Sequence, residues 1–231
     1  MHKLFILFII FGVTATSLSA RTVRAIFLQP PAGAPDKAFL FTGSKSSEIA
    51  LPSRNLSPEI TIPNGELTLA ILPASLPEGG EVPEGAQTLK IPEAWKRCIL
   101  IFLPAPKRSV FPANVLLVNS SDANLPKGNT IIYNLTDNTI QGKFGKTLPA
   151  LQVKPRGTAT LKPPRKDTGS YYAIVDCILP ETQERIAVAR SNWAHYEDAR
   201  QILFVIPNPG RKIPNIWGVL DRKDQKKEVE Q

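Results

Sequence analysis

Apolar residues in this chain recur in short runs of two kinds. In Glu66-Leu-Thr-Leu-Ala-Ile, residues Leu67, Leu69 and Ile71 fall at every second position, which places them on one face of a half-buried strand. Ile99-Leu-Ile-Phe-Leu, Val115-Leu-Leu-Val and Leu203-Phe-Val-Ile are apolar at every position, the pattern of strands covered on both faces. Residues 23–28, 38–41, 130–133, 151–153, 158–161, 171–179 and 186–190 complete the set of expected strands. Turn chemistry separates them, as in Asp122-Ala-Asn-Leu-Pro-Lys-Gly-Asn and Pro207-Asn-Pro-Gly. Helix is confined to a turn or two, near Pro92-Glu-Ala-Trp-Lys and Tyr196-Glu-Asp-Ala-Arg. Many short strands at such spacing predict an all-β chain of immunoglobulin-like sandwich architecture.

Composition agrees with this reading. The 22 prolines and 14 glycines are scattered and leave few windows long enough for a helix, while 42% hydrophobic residues support a packed core. Residues 1–20 have a different character. A basic start at Met1-His-Lys, an apolar stretch from Leu4 to Val13 and small polar residues up to Ala20 read as a cleavable export signal. The apolar run is too short for the roughly 20 residues a membrane-spanning helix needs, and no later run exceeds strand length. The expected location is therefore the periplasm, cell envelope or extracellular space, with no integral membrane segment after cleavage.

Charge divides what remains. Residues 21–92 hold six Lys/Arg against seven Asp/Glu, and residues 93–220 hold seventeen against nine. Glu78-Gly-Gly-Glu-Val-Pro-Glu-Gly has the composition of a linker or long loop. We therefore expect an N-terminal β domain over 21–90, a C-terminal sandwich over 91–220 and a charged flexible tail over 221–231.

Chemistry is sparse. Gly145-Lys146-Thr147 resembles the end of a phosphate-binding loop, but Ile140 stands where that loop needs glycine and Pro149 blocks the helix that must follow, so 142–145 reads as a turn or bulge. Once His2 leaves with the signal, His195 is the remaining histidine, which excludes a multi-histidine metal site; no cofactor is expected. The densest constellation, Trp193, His195, Tyr196, Glu197 and Asp198, offers an imidazole, two carboxylates and two aromatic faces. It reads either as a sugar platform with an acid/base pair, the signature of a carbohydrate-active module or hydrolase, or as a polar connection between two strands. Cys98 and Cys177 lie in expected strands, either as a disulfide worth about 4 kcal/mol on chain-entropy grounds or as two separate buried thiols. Lys143, Lys146, Lys154, Arg156, Lys162, Arg165 and Lys166 occur within a stretch without an acidic residue, a candidate surface for an anionic envelope polymer, glycan, lipid headgroup or another envelope protein; nucleic acid is not an expected partner of an exported chain. Sequons stand at Asn55, Asn119 and Asn134.

The segment Val23-Arg-Ala-Ile-Phe-Leu-Gln-Pro-Pro-Ala-Gly-Ala-Pro-Asp-Lys-Ala-Phe-Leu-Phe resembles the opening two strands of secreted bacterial immunoglobulin-like domains of unknown function. The two-part, basic, β-rich layout is also similar to periplasmic pilus chaperones. Neither resemblance carries over catalytic residues, and the expectation from the whole sequence is an exported, non-enzymatic β-sandwich protein acting by binding or within an envelope assembly, its rival a carbohydrate-active module or hydrolase.

Overall fold

The computed structural model describes residues 20–105, 107, 108, 110–146 and 150–222. The expected leader before Ala20, Thr147 and Pro149, and the tail beyond Arg222 lie outside the described residues. The described residues form sixteen strands in four sheets of four and contain no helix. The two segments expected to make helical turns, near 92–96 and 196–200, are tight turns, each entering a buried strand.

The first pair of sheets is built entirely from residues before 120. Its inner sheet runs β4 (Ile60–Ile62), β1 (Arg21–Phe27), β7 (Arg97–Pro104), β8 (Ala113–Asn119), with β1 and β7 parallel. Its outer sheet runs β3 (Ser46–Ala50), β2 (Lys37–Phe41), β5 (Leu67–Leu72), β6 (Gln87–Ile91). The second pair has an inner sheet β12 (Thr158–Leu161), β9 (Thr130–Asn134), β15 (Arg200–Ile206), β16 (Asn215–Asp221), again with one parallel pair, β9 and β15. Its outer sheet is β11 (Leu151–Val153), β10 (Thr139–Phe144), β13 (Gly169–Ile178), β14 (Arg185–His195).

Adding eight to every strand number converts the first pair into the second, so the chain contains one eight-stranded sandwich twice. With strand order as the guide, a sequence echo becomes legible. Arg97-Cys-Ile-Leu-Ile-Phe-Leu-Pro-Ala-Pro in the first repeat matches Arg200-Gln-Ile-Leu-Phe-Val-Ile-Pro-Asn-Pro in the second. The division between repeats therefore falls in the 120–129 connection rather than at 90/91. Strands β7 and β8, which the charge pattern assigns to the C-terminal part, pair with β1, while the acidic glycine-rich segment is the loop joining β5 to β6.

Each sandwich has its own core. Val23, Leu40, Leu69, Leu100 and Phe102 meet in the first; Ile132, Phe144, Tyr171, Val175 and Val205 meet in the second. A third cluster joins the repeats through the backs of the two inner sheets: Ile26, Leu28, Ile99, Ile101 and Val118 pack with Ile131, Ile202, Phe204, Ile206 and Val219. The two halves of the cluster include equivalent positions, Ile99 and Ile202, Ile101 and Phe204, Val118 and Val219, so each repeat buries the same surface, as in an isologous dimer interface carried within one chain. The result is a four-layer stack, outer, inner, inner, outer. It explains why residues 99–103 of β7 and 202–206 of β15 are apolar at every position, because these two central strands are covered on both faces.

A charged network closes one end of this interface. Asp221, 1% exposed, accepts a hydrogen bond from Arg24 Nη1 at 3.1 Å and lies 3.1 Å from Arg200 Nε and 3.9 Å from Arg97 Nη2. The Arg200 contact is an ion pair in distance without hydrogen-bond alignment. Arg200, equally buried, donates from Nη1 to the Ser120 carbonyl at 2.7 Å and to Asp122 at 3.0 Å. Arg97 and Arg200 are the equivalent first residues of β7 and β15, so the repeat supplies one arginine to the network from each half.

Candidate functional site

The 193–198 constellation is spread along the end of a hairpin. Trp193 turns inward from β14, its ring 5.5 Å from that of Phe144 and its Nε1 donating to Ser191 Oγ at 3.1 Å. His195 is buried against the 166–169 connection, with Nε2 3.4 Å from the Lys166 carbonyl. Tyr196 stacks under the Arg222 guanidinium at 4.6 Å, and Glu197 and Asp198 are exposed in the turn into β15. Trp193 lines a cleft that none of the other four reaches, so the structure does not bring these side chains into one cavity. Among the described residues no cluster of His, Cys, Asp and Glu has the makings of a metal site.

The seven basic residues are likewise divided. Lys154 and Arg156 sit in the β11–β12 turn, whereas Lys146, Lys162, Arg165 and Lys166 lie beyond the other ends of β10 and β12; Lys143 projects from β10. Strand direction in the antiparallel β9–β12 and β10–β11 pairs thus sends the two groups to opposite ends of the second sandwich. Two of the cations are also matched locally. Arg156 Nε donates to Asp137 at 2.8 Å and Arg165 pairs with Asp167, and these hydrogen bonds hold both carboxyl groups below the usual range. Gly145 turns the chain at φ 68°, with its N–H on the Tyr172 carbonyl, so the 142–145 segment is the end of β10 and a turn.

The cysteines correct one of the two readings left open by the sequence. Cys98 belongs to the first core and Cys177 to the second, both are free thiols, and an inner sheet of each repeat lies between them. Burial pushes the Cys98 thiol up to about 11 and raises that of Cys177. Native protein is expected to leave both thiols unreacted with an aromatic disulfide reagent at pH 8 and to release both on denaturation; rapid reaction of either in the native state would contradict the burial. Because the folded-state value for Cys98 is raised from 9.0, the stability tied to its neutral thiol is complete below about pH 9 and declines as pH climbs toward 11.

Asn134 shows why a sequon need not be an acceptor. Its side chain is fully buried and donates to the Asn138 carbonyl at 2.7 Å and the Lys154 carbonyl at 3.0 Å, while Oδ1 accepts from Thr136.

What the sequence did not announce is a cleft of about 630 Å³ on the open side of the second sandwich, between the edge strands β14 and β16 and under the 207–214 loop. Its floor is Trp193, Leu203 and Ile216, its rim Asn192, Gln201, Asn208 and Asn215, and among the described residues its one charged lining residue is Arg211. A β-bulge contributes to its shape. Pairing of β14 with β13 skips Val188, and Val188 lines the cleft. Behind Trp193 lies an apolar void of about 10 Å³ bounded by Ile132, Phe144, Val175 and Val205. The first sandwich closes the corresponding side. Gln87 of β6 donates from Nε2 to the Val115 carbonyl and accepts from the Val115 N–H, both at 2.8 Å, tying the outer-sheet edge to β8. Ile216 is the equivalent of Val115 by register, and β14 and β16 are not paired. No family model matches this chain, and no curated protein is significantly similar to it in sequence.

Proposed function

We propose that the protein is exported and works as a non-enzymatic binding module of the envelope space, holding an anionic partner on its second sandwich. The observation that carries this reading is the asymmetry between two repeats of one topology: the first is sealed by Gln87, and the second keeps an open, partly apolar cleft with an arginine at its mouth. The volume falls in the range of specific ligand sites. The interface cluster and its buried ion pairs favour a rigid body, which suits a scaffold that presents one surface. Export is supported by the leader composition and by the position of β1, which begins at Arg21 directly after the expected cleavage point. The excess of basic residues in 93–220 favours an acidic partner over a neutral one.

The carbohydrate-active alternative requires Glu197 or Asp198 beside a sugar stacked on Trp193, and both carboxylates stand in the turn beyond the cleft. The test has two arms. Mature protein recovered from the exported fraction should begin between Leu18 and Arg21 on N-terminal sequencing and should retain a protein or polymer partner from its own envelope, unchanged by E197Q and D198N. An intact Met1 in that fraction, or turnover of an envelope glycan lost in E197Q, would overturn the reading.

A further inference from the structure

The geometry points to the β14–β16 cleft as the docking site of an extended partner segment that adds to the β16 edge and places an acidic side chain on Arg211; this rests on the binding-module reading above. The first repeat shows what chemistry this side of the sandwich accepts. The Gln87 primary amide satisfies the N–H and C=O of one edge residue, Val115, as the peptide group of a neighbouring strand would. In the second repeat Ile216 holds the same position, and no side chain among the described residues hydrogen-bonds to it. A strand edge left open where its counterpart is capped by an amide calls for an amide-bearing occupant, which favours a peptide over a sugar or an acyl chain.

The lining selects among peptides. Alternate residues of an added strand point to opposite faces, so one set would rest on Trp193, Ile216 and Ile213, the last 43% exposed, while the other faces solvent. Asn192, Asn208 and Asn215 supply polar contacts at the rim, and no carboxylate of the described residues lines the cleft. The Arg211 side chain has no ion-pair or hydrogen-bond partner among the described residues, so its charge is available to an acidic residue of the occupant. Three β16 residues, Asn215, Ile216 and Gly218, line the cleft, and the stretch they span sets the length of the docked core at about four residues.

The test uses mature full-length protein labelled with ¹⁵N and three matched libraries of acetylated, amidated hexapeptides. Each library alternates Val, Leu or Ile with Thr and differs only in carrying Glu, Gln or Lys at one polar position. The Glu library is expected to shift the amide of Ile216 and the indole of Trp193, half-saturating at a concentration at least tenfold below the Lys library, and R211E is expected to reverse that order with an unchanged melting temperature. Should R211E misfold, R211Q replaces it and is expected to abolish the preference. Equal binding of all three libraries, shifts confined to other surfaces, or shifts of the same amides by chito-oligosaccharides and not by peptides would overturn the assignment. Retention of the envelope partner by R211E would sink the cleft assignment while leaving the binding-module reading standing; loss of any partner from the wild type would sink both.

Discussion

Replacing Asp221 by alanine is expected to destabilise the protein by about 3 kcal/mol, with a fall in melting temperature on the order of 6–12 °C for a chain of this size. The carboxylate sits at the seam between repeats, 1% exposed, with three arginines within 4 Å. Breaking a buried pair by removing one partner typically costs 3–5 kcal/mol, because the surviving charge stays out of water without compensation. The lower end applies here. Arg200, whose pKa is pulled down first by burial and further by the charge of Arg97, keeps the Ser120 carbonyl and Asp122, and Arg24 and Arg97 reach solvent in part. Two comparisons make the assignment specific. D122N, at a side chain 61% exposed, should cost under about 1 kcal/mol. The double variant R200M/D221L, which removes both buried charges and fills their space with apolar atoms, should recover most of the loss. A D221A protein that melts like wild type in thermal denaturation would show that the seam is not held by this network.

Phe204→Ala is expected to have the largest effect of any single truncation at the interface, about 3–5 kcal/mol. The ring is 1% exposed, stacks on Tyr133 with centroids 5.7 Å apart at 21°, and stands opposite the first repeat in the cluster that joins the two inner sheets. Its removal takes apolar surface from the seam and leaves a cavity that two rigid sheets cannot easily collapse. Leu220→Ala on the exposed face of the adjacent strand, 37% exposed, should stay within about 0.5 kcal/mol. Because the seam unites two cores, wild type should unfold in one transition by both circular dichroism and tryptophan fluorescence, and F204A should separate the two probes. Coincident transitions in the variant, at an unchanged midpoint, would contradict the interface assignment.

Strands were legible because their burial is written in their period. The all-apolar runs at 99–103 and 203–206 announced coverage on both faces, and the structure supplies it through the inner layers. Duplication was not legible from composition, since the echo is confined to one strand and its following loop, while the other equivalent strands share only their burial. Position 26 shows the difficulty, with Ile26 in the first repeat answered by Tyr133 in the second. The division was misplaced for a related reason. Loop composition marks exposure, and the exposed acidic loop lies inside the first sandwich, whereas the true connection buries Ser120 and Leu125 in the seam and so lacks the look of a linker. The cleft was hidden because its lining comes from β14, β15, β16 and the loop before β16. Of that lining the sequence marks Trp193 for chemistry, which its neighbours in sequence do not share in space. Trp193 lies on the edge strand β14, which a bulge at Val188 interrupts, and a bulge is not readable from sequence alone.

The most direct measurement is photo-crosslinking in the living cell with a benzoyl-phenylalanine placed at position 192, on the rim of the cleft, and separately at position 88, on the β6 edge of the sealed repeat. One discrete protein adduct is expected from position 192, absent from position 88 and lost when R211E is combined with the photo-residue. The same adducts from both positions, or none from position 192 while the protein still recovers its envelope partner, would contradict an open second repeat as the binding site.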